Sequence, residues 1–187
     1  VNKTPKTLSR FGDSQLDTAQ KKFGTASILL DGTEDNVKVP DDEDFGFGTS
    51  NFCIEAFIRP GSVSGIQRIF DLRNASATDT APTIYLNGTT LHYGVGNTSQ
   101  ISGGTLATNT FYHVAVARQG GTTKLFLDGT ELGTYTDSND YGSTTPVVIG
   151  SDYQASPTEA FNGHVDEVRI SKGAARFTAG FTPTTSE

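Results

Sequence analysis

Apolar and polar residues alternate most clearly over residues 51–59. Phe52, Ile54, Ala56 and Ile58 share one face of an extended chain, and Cys53, Glu55, Phe57 and Arg59 share the other. This period of two predicts a β-strand, and Pro60-Gly61 ends it. Shorter apolar runs predict strands at residues 8–11, 27–31, 36–39, 68–72, 146–149 and 164–170. Two hairpins stand out. In one, Asn87-Gly88 joins residues 84–86 to 91–93; in the other, Asp128-Gly129 joins residues 124–127 to 131–135. Asn-Gly and Asp-Gly supply the positive φ angles that tight hairpin turns need. Residues 111–118 are apolar on both faces, as in a central strand covered on both sides. The polar stretch from 12 to 22 reads as a loop, as does 74–82, and residues 172–176 predict a single helical turn. No long amphipathic helix is encoded. The expected fold is all-β, two antiparallel sheets packed face to face as a jelly-roll sandwich.

Composition narrows the class. The chain has 187 residues, enough for one cored domain spanning 1–187 with its core at about 8–183, and its 21 Gly and 7 Pro suit many turns. A lone Cys53 excludes an internal disulfide and reads as a small buried hydrophobe. The net charge of −7 offers no basic stripe for phosphates, so nucleic acid is not an expected partner. No apolar run reaches the roughly 18–20 residues that span a bilayer, so no membrane role is expected. The first residues, Val1-Asn2-Lys3-Thr4-Pro5, lack the apolar stretch of a signal peptide.

The chemistry-bearing residues are sparse. Glycoside hydrolysis needs two carboxylates, one to donate a proton and one to attack or activate water. No strand presents such a pair. Glu55 stands alone on its strand, with Arg59 four residues on along the same face, and reads as an ion-paired or hydrogen-bonded Glu. No catalytic residue is expected. His92, His113 and His164 fall on strands without a nucleophile elbow or zinc spacing, and His113 reads as a buried histidine satisfied by backbone groups. The acidic run Asp41-Asp42-Glu43-Asp44 reads as a solvated loop. On the last long strand, alternation sets Asp166 beside Val168 and Ile170, and Asp31 ends a strand on the face of Leu29. A carboxylate on an inward apolar face needs compensation. Backbone amides supply one form of it. Calcium, with six to eight oxygen ligands, supplies another, and Asp166, Asp31 and Gly32 are then its candidate ligands. Four Asn-x-Ser/Thr sequons, at Asn2, Asn74, Asn87 and Asn97, mark surface loops.

Several segments, taken in order, resemble a known family. They are Phe23-Gly24-Thr25-Ala26-Ser27, Leu30-Asp31-Gly32, the strand from Phe52 to Pro60, Phe111-Tyr112-His113-Val114-Ala115, Leu125-Phe126-Leu127-Asp128-Gly129 and the ending from Phe161 to Ser171. The set is similar to laminin-G-like domains of the concanavalin A-like lectin and glucanase superfamily, with Phe57 where relatives usually carry Trp. The ending Arg169-Ile170-Ser171-Lys172-Gly173, with Phe177 and Phe181-Thr182-Pro183, looks like the version found in bacteriophage structural and tail-fibre proteins. The resemblance implies a jelly roll, and for Asp166, in the matching Asp-x-Val-Arg segment, a structural calcium. It also implies a module on a virion or other extracellular assembly, whose partners are a glycan or cell-surface polysaccharide and other virion proteins.

Sugar sites pair aromatic faces with hydroxyl-bonding oxygens. The candidates are Asp152 with Tyr153 and the following Gln154, Asn139 with Asp140 and Tyr141, and the loop 71–79 with Asp71 and Asn74. The expected function is a non-catalytic carbohydrate- or surface-binding module. A purely structural spacer and an unusual glycan hydrolase are the alternatives.

Overall fold

The computed structural model of the chain describes residues 5–74, 79–142, 145–153 and 157–185. Its strands, in chain order, begin with β1 (Ser9–Phe11), β2 (Gln15–Asp17), β3 (Ser27–Asp31), β4 (Asn36–Val39), β5 (Phe52–Pro60), β6 (Ile66–Asp71) and β7 (Pro82–Asn87). They continue with β8 (Thr90–Val95), β9 (Thr98–Gly103), β10 (Tyr112–Gln119), β11 (Thr122–Leu127), β12 (Thr130–Thr136), β13 (Val147–Ile149) and β14 (Asn162–Lys172). One sheet has the order β1-β4-β13-β6-β7-β8-β9 and the other β12-β11-β10-β5-β14-β3-β2. Every strand pairing within them is antiparallel. This is the all-β sandwich that the alternation predicts.

The inner faces carry the core. Phe52, Ile54, Ala56 and Ile58 of β5 and Val114 and Val116 of β10 meet Phe70, Ile84, Leu86, Leu91 and Tyr93 of the opposite sheet, all buried. At the β9 and β12 edges the sheets close up. A Cβ on Gly133 would come within 2.8 Å of the Ile101 side chain, so only glycine allows the approach.

Three expectations are corrected. β2 and β9 are strands that the pattern does not reveal: β9 has one buried apolar residue, Ile101, and β2 is two-thirds exposed. No helical turn forms after β14; the chain reverses at Gly173, whose φ is 84°. The alternation in β14 breaks at a bulge between Asp166 and Arg169, where Glu167 has φ of 51°. Asp166 therefore pairs opposite Phe57 and Arg169 opposite Glu55, both on the outer face, while Val165 points into the core. In β3 it is Leu30 that is buried in the core, so Leu29 and Asp31 also face outward. Asp31 is exposed and carries no burial conflict; Asp166 is buried although it faces outward, so its carboxylate still needs compensation.

Candidate functional site

The outer face of the first sheet is unusually polar. Ile84 and Leu86 of β7 point inward, so Thr83 and Tyr85 point out. Strand register then builds two outward rows. One runs Lys38, Val148, Asp71, Thr83, Gly94, and the other Arg68, Tyr85, His92, Ser102.

The centre of this face is an ion network. Arg73 holds Asp71 with two bonds, Nε to Oδ1 at 2.8 Å and NH2 to Oδ2 at 2.7 Å. Burial pushes the Asp71 carboxyl up, and the Arg73 guanidinium pulls against that shift. Arg73 NH1 donates to Oδ1 of Asn97, which is exposed. Glu159 sits between the guanidiniums, bonded to Arg68 Nε and 3.6 Å from Arg73 NH2. Arg68 also donates to Thr83 Oγ1 at 3.1 Å and lies 4.3 Å over the Tyr85 ring. Tyr85 stacks on His92 at 4.8 Å. Burial, then the charge of Arg68, lowers the His92 pKa.

The expected rim residues divide between two places. Asp71, Asn74, Asp152 and Tyr153 belong to this face. Asp71 and Asp152 are buried. Burial works against the charge of Arg73, but the bond and charge of Asp71, then the charges of Glu159 and Asp152, raise its pKa; burial lowers that of Lys38, and the charge of Asp152 opposes it. Asp152 accepts the Thr158 N–H at 3.0 Å. Tyr153 is half-buried, with Lys38 Nζ 5.0 Å over its ring. The Asn74 N–H donates to Asp79 at 2.9 Å. Residues 75–78, Gln154 and the sequon at Asn2 lie outside the described residues.

Asn139, Asp140 and Tyr141 lie elsewhere, and the exposed tyrosine platform expected there is corrected. Tyr141 is buried, with its hydroxyl donating to Asp137 at 2.9 Å and lying 3.0 Å from the Tyr93 hydroxyl. Arg118, wholly buried, lies 4.8 Å over its ring and donates to the Asn139 and Ser50 carbonyls. Asn139 Nδ2 donates to Asp137, leaving Asp140 as the exposed member. A ring sealed on both sides presents no face to a sugar.

Asp166, Asp31 and Gly32 do not form one metal site. Asp166 Oδ2 accepts the N–H groups of Lys22 and Phe23 at 2.7 and 3.2 Å, and Oδ1 accepts that of Glu167 at 3.0 Å. Backbone amides thus satisfy it. Asp31 pairs opposite Asn162, four residues along β14 from Asp166. Asp31 instead converges with Asp13 and Asp35, with one carboxylate oxygen of each within 4.8 Å of the others. Asp35 is buried and accepts the N–H groups of Asp13 and Asp31 at 2.8 and 2.9 Å. The charges of Asp35 and then Asp31 raise the Asp13 pKa. Three hard oxygen donors at this spacing suit a divalent cation.

Glu55 is ion-paired as expected, with His113 and Arg176 as its partners. His113 differs from expectation, since its ring meets that carboxylate rather than backbone groups. Sequence reading missed Arg68, Arg73, Tyr85, His92, Asn97 and Glu159 as site residues. A two-residue Asn87-Gly88 loop would set residue 85 opposite 90; the turn is instead Gly88-Thr89, with Asn87 paired to Thr90, and that shift is what brings Tyr85 opposite His92. Glu159 and Asn97 reach Arg73 only through the tertiary fold.

The family model for the concanavalin A-like lectin/glucanases superfamily matches residues 31–176. Among solved structures, the binding domain of Paraclostridial Mosquitocidal Protein 1 aligns with a TM-score of 0.68 at 14% identity, covering 91% of this chain and 45% of that one. Domain 4 of AbnA, a GH43 extracellular arabinanase from Geobacillus stearothermophilus, solved with arabinotriose, aligns at 0.66 and 19% identity, covering 91% and 84%. The botulinum neurotoxin serotype D/C binding domain aligns at 0.64 and 14% identity, covering 88% and 43%. The chain spans less than half of the toxin chains it matches. A search of curated proteins returns no match. Among the described residues no helix is long and apolar enough to cross a membrane. The sandwich and the family match agree: the chain belongs to the concanavalin A-like lectin/glucanase superfamily.

Proposed function

We propose that the chain is a non-catalytic carbohydrate-binding module whose ligand meets the outer face of the first sheet, around Arg73, Asn97, Glu159 and Tyr153. The observation that carries this reading is the Arg68–Glu159–Arg73–Asp71 network, flanked by the Tyr85–His92 stack and Tyr153. Donors, acceptors and rings in one patch match what sugar hydroxyls and C–H faces require. Two similar structures are named as binding domains, and a third was solved with arabinotriose. A shallow sheet face buries little ligand, so affinity per copy is modest and rises with multivalent display. Display on a virion or other extracellular assembly belongs to this reading, supported by the resemblance of the segment from Arg169 to Pro183.

The reading includes a structural calcium held by Asp13, Asp31 and Asp35, where three carboxylates converge. The ion would offset their mutual repulsion and tie the start of the chain to β3.

The test is a glycan array followed by calorimetric titration, with arabino-oligosaccharides among the ligands. Asn97→Ala and Tyr153→Ala change side chains that are not fully buried. Each is expected to weaken binding about tenfold, the equivalent of ~1.4 kcal/mol. Binding that survives both changes intact overturns the assignment of this face.

A further inference from the structure

The second sheet has a ligand cleft of its own, made by the end of the chain. Cys53, Ala115 and Ala117 present small side chains on the outer face of β5 and β10, beside Phe126 of β11. After Gly173 the chain doubles back over this trough. The Gly173 N–H donates to the Asn51 carbonyl at 2.7 Å, and the Phe181 N–H to the Gly129 carbonyl at 3.0 Å. A Cβ on Gly129 would lie 1.8 Å from the Phe181 carbonyl oxygen, so the hairpin turn must be glycine for this strap to dock. Phe177 and Phe181 stack on each other at 3.7 Å, with Phe181 5.4 Å from Phe126.

Between the strap and the sheet lies a cleft of about 650 Å³. That is within the range of roughly 300–1,000 Å³ usual for small-molecule sites. Phe23 and Phe57 line it with Phe177 and Phe181. Its polar floor is Glu55 and His113, both buried, with Glu55 Oε2 3.0 Å from His113 Nε2. The other carboxylate oxygen lies 3.0 Å from Arg176 Nε and 3.9 Å from Arg169 NH1.

Two features point to a ligand. His113 Nδ1 is buried with no hydrogen-bond partner among the described residues, a condition that folded proteins seldom leave uncompensated. The Arg169 and Arg176 side chains are 53% and 37% exposed at the cleft, and Glu55 is their one ion-pair partner among the described residues. Glu55 pairs in charge with Arg176 and His113, although its Oε1 accepts no hydrogen bond among the described residues. Two guanidinium forks, with Lys22 nearby over Phe57, therefore outweigh the exposed Glu167 at the mouth. This is a local cationic opening on a chain of net charge −7. Guanidinium forks match carboxylates, and the phenyl walls match the C–H face of a pyranose ring.

We propose that this cleft binds a saccharide unit bearing a carboxylate, such as a uronic acid, with Arg169 and Arg176 on the carboxylate and a ring hydroxyl at His113. The proposal is independent of the first-sheet site, which lies on the other sheet.

The chain has three histidines, and two of them report separately: His92 on the first-sheet face and His113 in the cleft. The experiment is a proton NMR titration of the full chain with methyl β-D-glucuronide, and with methyl β-D-glucoside as the neutral comparison, following the imidazole signals. The glucuronide is expected to shift His113 saturably and leave His92 in place. Arg169→Ala should weaken this binding about tenfold, with Arg169→Gln giving a similar loss in a variant of closer shape. Asn97→Ala should not alter it. A His113 signal that the glucuronide does not move overturns the proposal. So does equal affinity for the glucoside, or undiminished binding in folded Arg169 variants.

Discussion

The carboxylate of Asp166 accepts the Lys22 N–H at 2.7 Å, joining β14 to a segment 144 residues earlier in the chain. It accepts two more amide hydrogens, from Phe23 and Glu167. Replacing it with Ala leaves these donors without that acceptor and should lower unfolding free energy by ~2 kcal/mol. Chemical denaturation should show the same loss with and without a chelator. A loss that vanishes once chelator is present would return Asp166 to the metal ligands.

The Asp13–Asp31–Asp35 cluster gives the opposite dependence. Asp35 and Asp31 raise the Asp13 pKa. Between the ordinary aspartate value and this raised one, the folded chain binds more protons than the unfolded chain. Metal-free stability attributable to Asp13 is therefore greatest below that window and falls as pH rises through it. A bound cation reverses the balance near neutral pH. Calcium at a hundredfold excess over its dissociation constant should add ~2.7 kcal/mol. Asp13→Asn should abolish most of that increment while costing little in chelator. If calcium leaves the melting curve of the wild-type protein unchanged, the cluster holds no structural calcium.

These two aspartates show where sequence reading succeeds and where it stops. Alternation in β5 assigned Phe52, Ile54, Ala56 and Ile58 to the core because the strand is regular over nine residues. The same counting in β14 put Asp166 on the wrong face, because one residue, Glu167, adopts a positive φ and inserts a bulge. Nothing in Asp-Glu-Val-Arg announces that bulge. The hairpins were legible because glycines in their turns carry the backbone requirement, Gly88 at φ 59° and Gly129 at φ 75°, although Asn87 proves to be the last residue of β7 and not a turn residue. The binding face was partly legible. Asp71, Asp152 and Tyr153 drew notice as polar or aromatic loop residues, whereas Arg73 and Glu159 meet across 86 positions of sequence. Tyr141 drew notice for the same reason as Tyr153 and proved to be core, since burial depends on Arg118 and Asp137, which local pattern does not reveal.

Tyr141→Phe isolates that difference. The ring stays and the hydroxyl goes, removing bonds to Asp137 and Tyr93. Stability should fall by ~1–3 kcal/mol, because Asp137 is buried and loses a donor. Glycan affinity should be unchanged. Weakened glycan binding at full stability would show that this end of the sandwich, and not the first-sheet face, meets the ligand.

Arg73→Met tests the ion network through its buried pair. It strands Asp71 without its guanidinium in a site from which water is excluded. Removing one partner of a buried pair costs about 3–5 kcal/mol, and adding Asp71→Asn should recover part of the loss. Urea unfolding of both single variants and the double variant gives the coupling. Strict additivity would mean that the two side chains do not depend on one another.

Cys53 reports on the strap. Its thiol is pushed up to about 12, first by burial and then by the charge of Glu55. Thiolate is the reactive form, so the native thiol should resist iodoacetamide at mildly alkaline pH. Its cover is partly the chain's own end, since Phe177 and Phe181 pack on the Cys53, Ala115, Ala117 and Phe126 cluster. Phe177→Ala removes one of two stacked rings and should cost roughly 3 kcal/mol or less, because the ring is only half-buried. More telling is the labelling rate. If the strap opens locally while the sandwich stays folded, Phe177→Ala should speed alkylation of Cys53 by far more than its effect on global unfolding accounts for. The intact protein should label only through rare opening, and a ligand held between strap and sheet should slow it further. Labelling that tracks global stability alone, in wild type and variant alike, would show that the strap unfolds only with the sandwich and has no separate opening.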